Sequence, residues 1–172
     1  MNFTIDDLPE ISRRCAEKEV RTYLTLNTIV YDHDLSIIKV LLDKAKAANL
    51  TAVIAMDQAV ISYARQIGME VHISTQINIT NIETVKFYAL FADTMVMSRE
   101  LSMSQIKKIC DQIVKEQVKG PSGNLVEVEI FGHGALCMAV SGKCYLSLHS
   151  ANSSANRGAC KQNCRKKYTV ID

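Results

Sequence analysis

Residues 51–74 read TAVIAMDQAVISYARQIGMEVHIS. Residues 51–56 are a short continuous apolar run, as expected of a strand covered on both faces. Asp57 can cap a helix over residues 58–67, and Gly68 can end it. Residues 70–74 read as a second strand. A strand, a helix and a strand so closely spaced form a βαβ unit, whose two strands lie parallel.

The same alternation extends in both directions. Upstream, residues 4–18 read as an amphipathic helix with Leu8, Ile11 and Cys15 on one face and Pro9 in the first turn. Residues 20–30, VRTYLTLNTIV, are rich in β-branched side chains and read as a strand. A helix over residues 34–48 follows, with Leu35, Ile38, Leu41, Leu42 and Ala45 as its apolar stripe. Downstream, Thr80 and Glu83 have capping-box spacing for a helix running to about residue 91. Residues 94–97 read as a strand. Ser102 and Gln105 repeat the capping pattern before a helix to about residue 117, with Ile106, Ile109, Cys110 and Ile113 on its buried face. KGPSGN at 119–124 is a turn, and residues 125–131 form the last strand. Cys15 and Cys110, each on an apolar stripe, are expected to be core residues.

The sum is an α/β protein: a parallel sheet with helices outside it. An open doubly wound sheet and a portion of a (β/α)8 barrel both fit. No G-x-G-x-x-G follows a strand, which leaves the dinucleotide-binding version without support. In either architecture ligands sit at the carboxyl ends of the strands. Asn27, Thr28, Asp57, Thr75, Gln76, Asn78, Ser98, Arg99, Glu100 and His133 collect at those ends. Asp57 and Ser102 read as caps. Gln76, Arg99 and Glu100 are candidates for function, because an Arg–Glu pair at a strand end can receive an anionic substrate.

With 172 residues and 48% hydrophobic composition the chain can bury a real core. A net charge of +2 argues neither for nor against a nucleic-acid partner, since a basic patch can hide inside a balanced total. No apolar run is long enough for a transmembrane helix, and residues at the start lack the pattern of a signal peptide, so no membrane partner and a cytoplasmic location are expected.

Four of the six cysteines fall in EIFGHGALCMAVSGKCYLS and LHSANSSANRGACKQNCR, which together cover residues 129–165. Cys137, Cys144, Cys160 and Cys164 are spaced C-x6-C-x15-C-x3-C among small, polar and glycine residues. Thiols clustered in this way bind a soft metal, form disulfides or supply a nucleophile. A reducing cytosol lowers the disulfide reading and raises the metal one.

Glu129, Phe131, Gly134, Ala135, Leu136, Cys137, Gly142, Cys144, Leu146 and Ser147 match the signature of the peptidase U32 family, the collagenase-like proteases, and the match is complete over the nineteen positions 129–147. QINITNIETVKFYALFADTMVMSRELS at 76–102 resembles the segment that precedes this signature. SANRGACKQNCRKKYTVID at 154–172 resembles most closely the branch that hydroxylates a cytidine of 23S ribosomal RNA; a sister branch hydroxylates a transfer-RNA uridine. The resemblance implies a (β/α)8 barrel. By position this chain resembles only its middle, without the first two strands and the last, so residues 1–172 are expected to form one partial barrel of about five strands with the signature and cysteine loop at 129–165.

The resemblance also implies a [4Fe–4S] cluster on Cys137, Cys144, Cys160 and Cys164, for which zinc is the alternative, as is no metal at all in the isolated chain. Arg157, Lys161, Arg165, Lys166 and Lys167 interleave or follow these cysteines and are candidate RNA contacts, though such a run can equally be a solvated surface. Ribosomal or transfer RNA and a small anionic oxygen donor are the implied partners. The family name offers a second function, a protease with a cysteine nucleophile and His133 or His149 as its base. A third is an inactive partial barrel with a structural metal. Its open edge strands are expected to invite a homodimer.

Overall fold

The computed structural model describes residues 3–169. A short 3-10 turn leads into α1 (Leu8–Ala16), with Pro9 in its first turn. Four strand–helix pairs follow: β1 (Tyr23–Leu26) with α2 (Leu35–Ala47), β2 (Ala52–Ala55) with α3 (Gln58–Gln66), β3 (Glu70–Ile73) with α4 (Ile82–Tyr88), and β4 (Thr94–Val96) with α5 (Met103–Lys115). β5 (Glu127–Glu129) closes the repeat, and a short α6 (Leu146–Ala151) lies in the segment after it.

The five strands form one sheet in the order β1-β2-β3-β4-β5, and every neighbouring pair is parallel. A doubly wound sheet reverses its order at a switch point; this sheet does not. Its order is that of consecutive strands along an arc of a (β/α)8 barrel. β1 and β5 lie at the two edges, as expected for the first and last strands of the repeat. Right-handed crossovers that always step in one direction put their helices on one face. On that face Val53, Ala55, Val71, Ile73 and Met95 meet Leu42, Ala45, Val60, Ala64, Val85, Ile109 and Ile113. The alternate strand positions carry Tyr23, Glu70, His72 and Glu129. There His72 is buried, stacked 5.0 Å from Tyr23, with Nε2 3.1 Å from Glu70.

Local signals explain most boundaries. Asp57 accepts from the Ala59 amide at the start of α3, and its other oxygen accepts from Val30, tying the end of β1 to that helix. Gly68 follows α3 with φ +69°, a conformation glycine adopts without strain. Ser102 and Gln105 form the expected capping box at α5. At α4 the expectation was misplaced by one residue. Asn81, not Thr80, is the cap and accepts from the Thr84 amide at 2.9 Å. The strands expected at 20–30 and 125–131 are also shorter, because ladder bonds exist only where a neighbour runs alongside. Cys15 and Cys110 are half-buried rather than in the core.

Ile73 is fully buried in the middle of the sheet. Its replacement by alanine should lower the unfolding free energy by about 2–5 kcal/mol, measured by urea denaturation, with the fold otherwise kept.

Candidate functional site on the carboxyl face of the sheet

The carboxyl ends of β3, β4 and β5 are joined before any loop is added. Ile79 bridges to Met97, the Ser98 amide donates to Ile79, and the Met97 amide donates to Glu129. After β5 the chain turns over this edge. Residues 130–145 contain no helix or strand, yet they are fixed from below. Arg99, just past β4, donates from Nη1 to the Cys137 carbonyl at 3.0 Å, from Nη2 to the Ala139 carbonyl at 2.8 Å and from Nε to the Ser141 hydroxyl at 2.9 Å. Asn78, in the left-handed region at φ 59° past β3, donates to the Ser141 carbonyl at 2.9 Å and to the Gln76 carbonyl. Gly142, at φ +71°, lies so close to Gln76 that an added Cβ would be 3.1 Å from the Gln76 Cβ.

The second half of the segment sits over β1. The Ile29 amide donates to the Asn156 carbonyl, and Arg157 donates to the Ile29 carbonyl and to both oxygens of Asp34. The Arg157 guanidinium also lies 4.5 Å from the centre of the Tyr31 ring. Hydrogen bonds from Arg157, and secondarily from the Tyr31 amide, push the Asp34 carboxyl down to about 2. α6, which lies between these two anchors, and the last turns, beyond Arg157, close on each other. The Lys161 amide donates to the buried Ser147 hydroxyl at 3.0 Å, Asn163 donates to Ser150, and the Tyr168 hydroxyl donates to the Asn163 carbonyl at 2.6 Å.

The residues singled out from the sequence therefore divide. Gln76 lies beneath the loop. Arg99 holds it, with three of its five N–H groups committed. Glu100 is exposed and accepts from Ser98, which lowers its pKa. No ion pair joins Arg99 to Glu100 among the described residues. His133 and His149 are exposed, and neither hydrogen-bonds a cysteine among the described residues. Arg157, a candidate RNA contact in the sequence, is paired with Asp34 at 2.8 Å. Lys161, Arg165, Lys166 and Lys167 are exposed without an acidic partner among the described residues. Sequence reading missed Asp34, Tyr31 and Ser141, and gave Ser147 a place in the signature but no role. Their partners lie far along the chain, so no local pattern announces them.

All four cysteines of the segment are free: Cys137, Cys160 and Cys164 are exposed and Cys144 is half-buried. Four thiols are the donor set of an iron–sulfur cluster or a closed zinc site, so the chemistry of the residues fits such a group. They share one docked segment, although among the described residues no three His, Cys, Asp or Glu side chains are close enough together to hold a metal ion. No described helix is long and apolar enough to cross a membrane.

Fold and site together define a parallel βα-repeat protein with a thiol-rich lobe seated on the carboxyl ends of its strands. The chain belongs to peptidase family U32, whose model matches residues 1–172. It is 54% identical over 171 residues to a collagenase of Porphyromonas gingivalis, covering 99% of this chain and 41% of that one. It is 32% identical over 172 residues to a tRNA hydroxylation protein of Bacillus subtilis, covering 98% and 38%. It is also 32% identical over 170 residues to a 23S rRNA 5-hydroxycytidine synthase of Escherichia coli, covering 98% and 24%. The chain thus spans less than half the length of these relatives. No solved structure matches it.

The Asp34–Arg157 tie has a definite pH dependence. The folded-state pKa of Asp34, about 2, lies below its unfolded value. The tie therefore contributes fully above about pH 4, the ordinary aspartate value, and is lost as pH falls through the folded value. In NMR titrations the Ile29 and Arg157 amides should shift with a midpoint near 2. In Asp34→Asn they should not titrate there.

Proposed function

We propose that this chain serves in a U32 enzyme that hydroxylates RNA, with a cytidine of 23S ribosomal RNA as the first candidate target and a transfer-RNA uridine as the second. The observation that carries the reading is the placement of four free thiols on one segment over the carboxyl face of a parallel sheet. That face is where such sheets place their ligands. A protease needs one nucleophilic thiol; four are the donor set for a cluster. Cys137, Cys144, Cys160 and Cys164 would hold a [4Fe–4S] cluster, which when bound supplies one-electron chemistry. Two guanidinium N–H groups of Arg99 stay free of the loop bonds and, with Gln76, offer donors to a small anionic oxygen source. Glu100, whose carboxyl the Ser98 hydroxyl holds below the usual range, adds a negative charge next to Arg99 in the chain. The names of the two hydroxylation relatives support the reaction class.

A second reading rests on the 54% identity to a protein named collagenase. In it Cys137 or Cys144 is a nucleophile and His133 or His149 its base.

One experiment separates the two. The whole protein is expressed in a strain that lacks its own RNA hydroxylases, and its ribosomal and transfer RNA are analysed by mass spectrometry. Restored hydroxycytidine or hydroxyuridine is expected, with loss of the product and of bound iron in Cys144→Ala. Unmodified RNA, together with cleavage of denatured collagen that persists without all four thiols, would overturn the hydroxylase reading and establish the protease.

A further inference from the structure

The charges of the chain are sorted along its length. Residues 130–171 hold six basic side chains, Lys143, Arg157, Lys161, Arg165, Lys166 and Lys167, and no Asp or Glu. Residues 1–129 hold the other 14 basic and 17 acidic side chains, and Asp172 is the remaining acid. A body with net charge −3 therefore carries a lobe with net charge +6, and the +2 total conceals both. Within the body, Arg13, Arg14, Lys86 and Lys107 have carboxylate partners. Within the lobe only Arg157 does, among the described residues. The other five cations are exposed.

Aromatic faces accompany these cations. Tyr145 is 62% exposed and Tyr168 66% exposed. Tyr145 is the residue from which α6 starts, and the Tyr168 hydroxyl is bonded to the Asn163 carbonyl. The Ser147–Lys161 and Ser150–Asn163 bonds make α6 and the last turns one unit, so both rings and four of the cations belong to the same small lobe. Rings presented to solvent in the same lobe as unpaired cations are an arrangement that suits unstacked bases and their phosphates.

We propose that this lobe binds single-stranded RNA, with phosphates at Lys161, Arg165, Lys166 and Lys167 and bases stacked on Tyr145 and Tyr168. The choice of RNA rests on the hydroxylase reading above; the single-stranded form and the binding residues come from the lobe itself. A duplex hides the faces of its bases, so it can use the cations but not the rings. An acidic peptide can do the same, and its binding is the competing outcome.

The test measures fluorescence anisotropy of the whole protein with a labelled unstructured RNA, the same sequence in a duplex, and polyglutamate. Single-stranded RNA should bind tightest. Replacing Lys161, Arg165, Lys166 and Lys167 with glutamine should weaken it at least about tenfold and flatten its dependence on log salt by about three. Tyr145→Leu and Tyr168→Leu should each weaken it about fivefold or more with the salt slope unchanged. Tyr145→Phe and Tyr168→Phe keep the rings and should bind like wild type, which separates stacking from folding. Equal binding of duplex or polyglutamate, or leucine variants that bind normally, would overturn the proposal. If RNA in the complemented strain stays unmodified while this binding pattern holds, the reaction fails and the lobe assignment stands. If modification is restored while the variants bind unchanged, the lobe assignment alone falls.

Discussion

Arg99 is the pivot of the site. Its guanidinium spans a loop with no regular structure of its own and gives that loop three hydrogen bonds from the end of β4. Bonds from a charged donor contribute about 1.5–3 kcal/mol each where they persist, and here they are directed at two carbonyls and a hydroxyl that regular structure would otherwise have to satisfy. Planarity lets one side chain reach residues 137, 139 and 141 together; a lysine could not. The position of Cys137 relative to the sheet follows from this contact. Gly142 also approaches Gln76 closely, so an added Cβ there would be crowded at 3.1 Å from the Gln76 Cβ.

Arg157 does the corresponding work at the other end of the lobe, over β1. The cysteine-bearing segment is thus pinned at two places, above β1 and above β3 and β4, with α6 between them and the last turns beyond. Two arginines that local sequence presents as ligand-binding groups are used to assemble the site. Lys143, Lys161, Arg165, Lys166 and Lys167 are exposed and have no acidic partner among the described residues.

The sheet was legible because its signals are local. Apolar runs such as residues 51–56, the Asp57 cap and Gly68 specify strand, helix and stop within a few positions. Short right-handed connections fit both a doubly wound and a barrel-like order, and the sheet shows the sequential one. The capping residue of α4 was misread because Thr80, Asn81, Glu83 and Thr84 offer two overlapping patterns, and the amide of Thr84 found the Asn81 oxygen. The lobe was legible only in its cysteines. Its anchors join residues 42 and 123 positions apart, as in Arg99–Ser141 and Arg157–Asp34. The charge sorting was present in the sequence but invisible in a net value. Tyr145 and Tyr168 lie within the family-like stretches without a role of their own there; their exposure singles them out.

The account stands on the lobe being docked by Arg99, and amide hydrogen exchange tests this directly. In Arg99→Met, amides within residues 137–142 should exchange at least about tenfold faster than in wild type, consistent with the loss of bonds of that strength. Amides of β3 and of residues 155–158 should exchange as before, since Arg157 holds the latter independently. Unchanged exchange across residues 137–142 would contradict the account, because the loop would then be held by something other than Arg99.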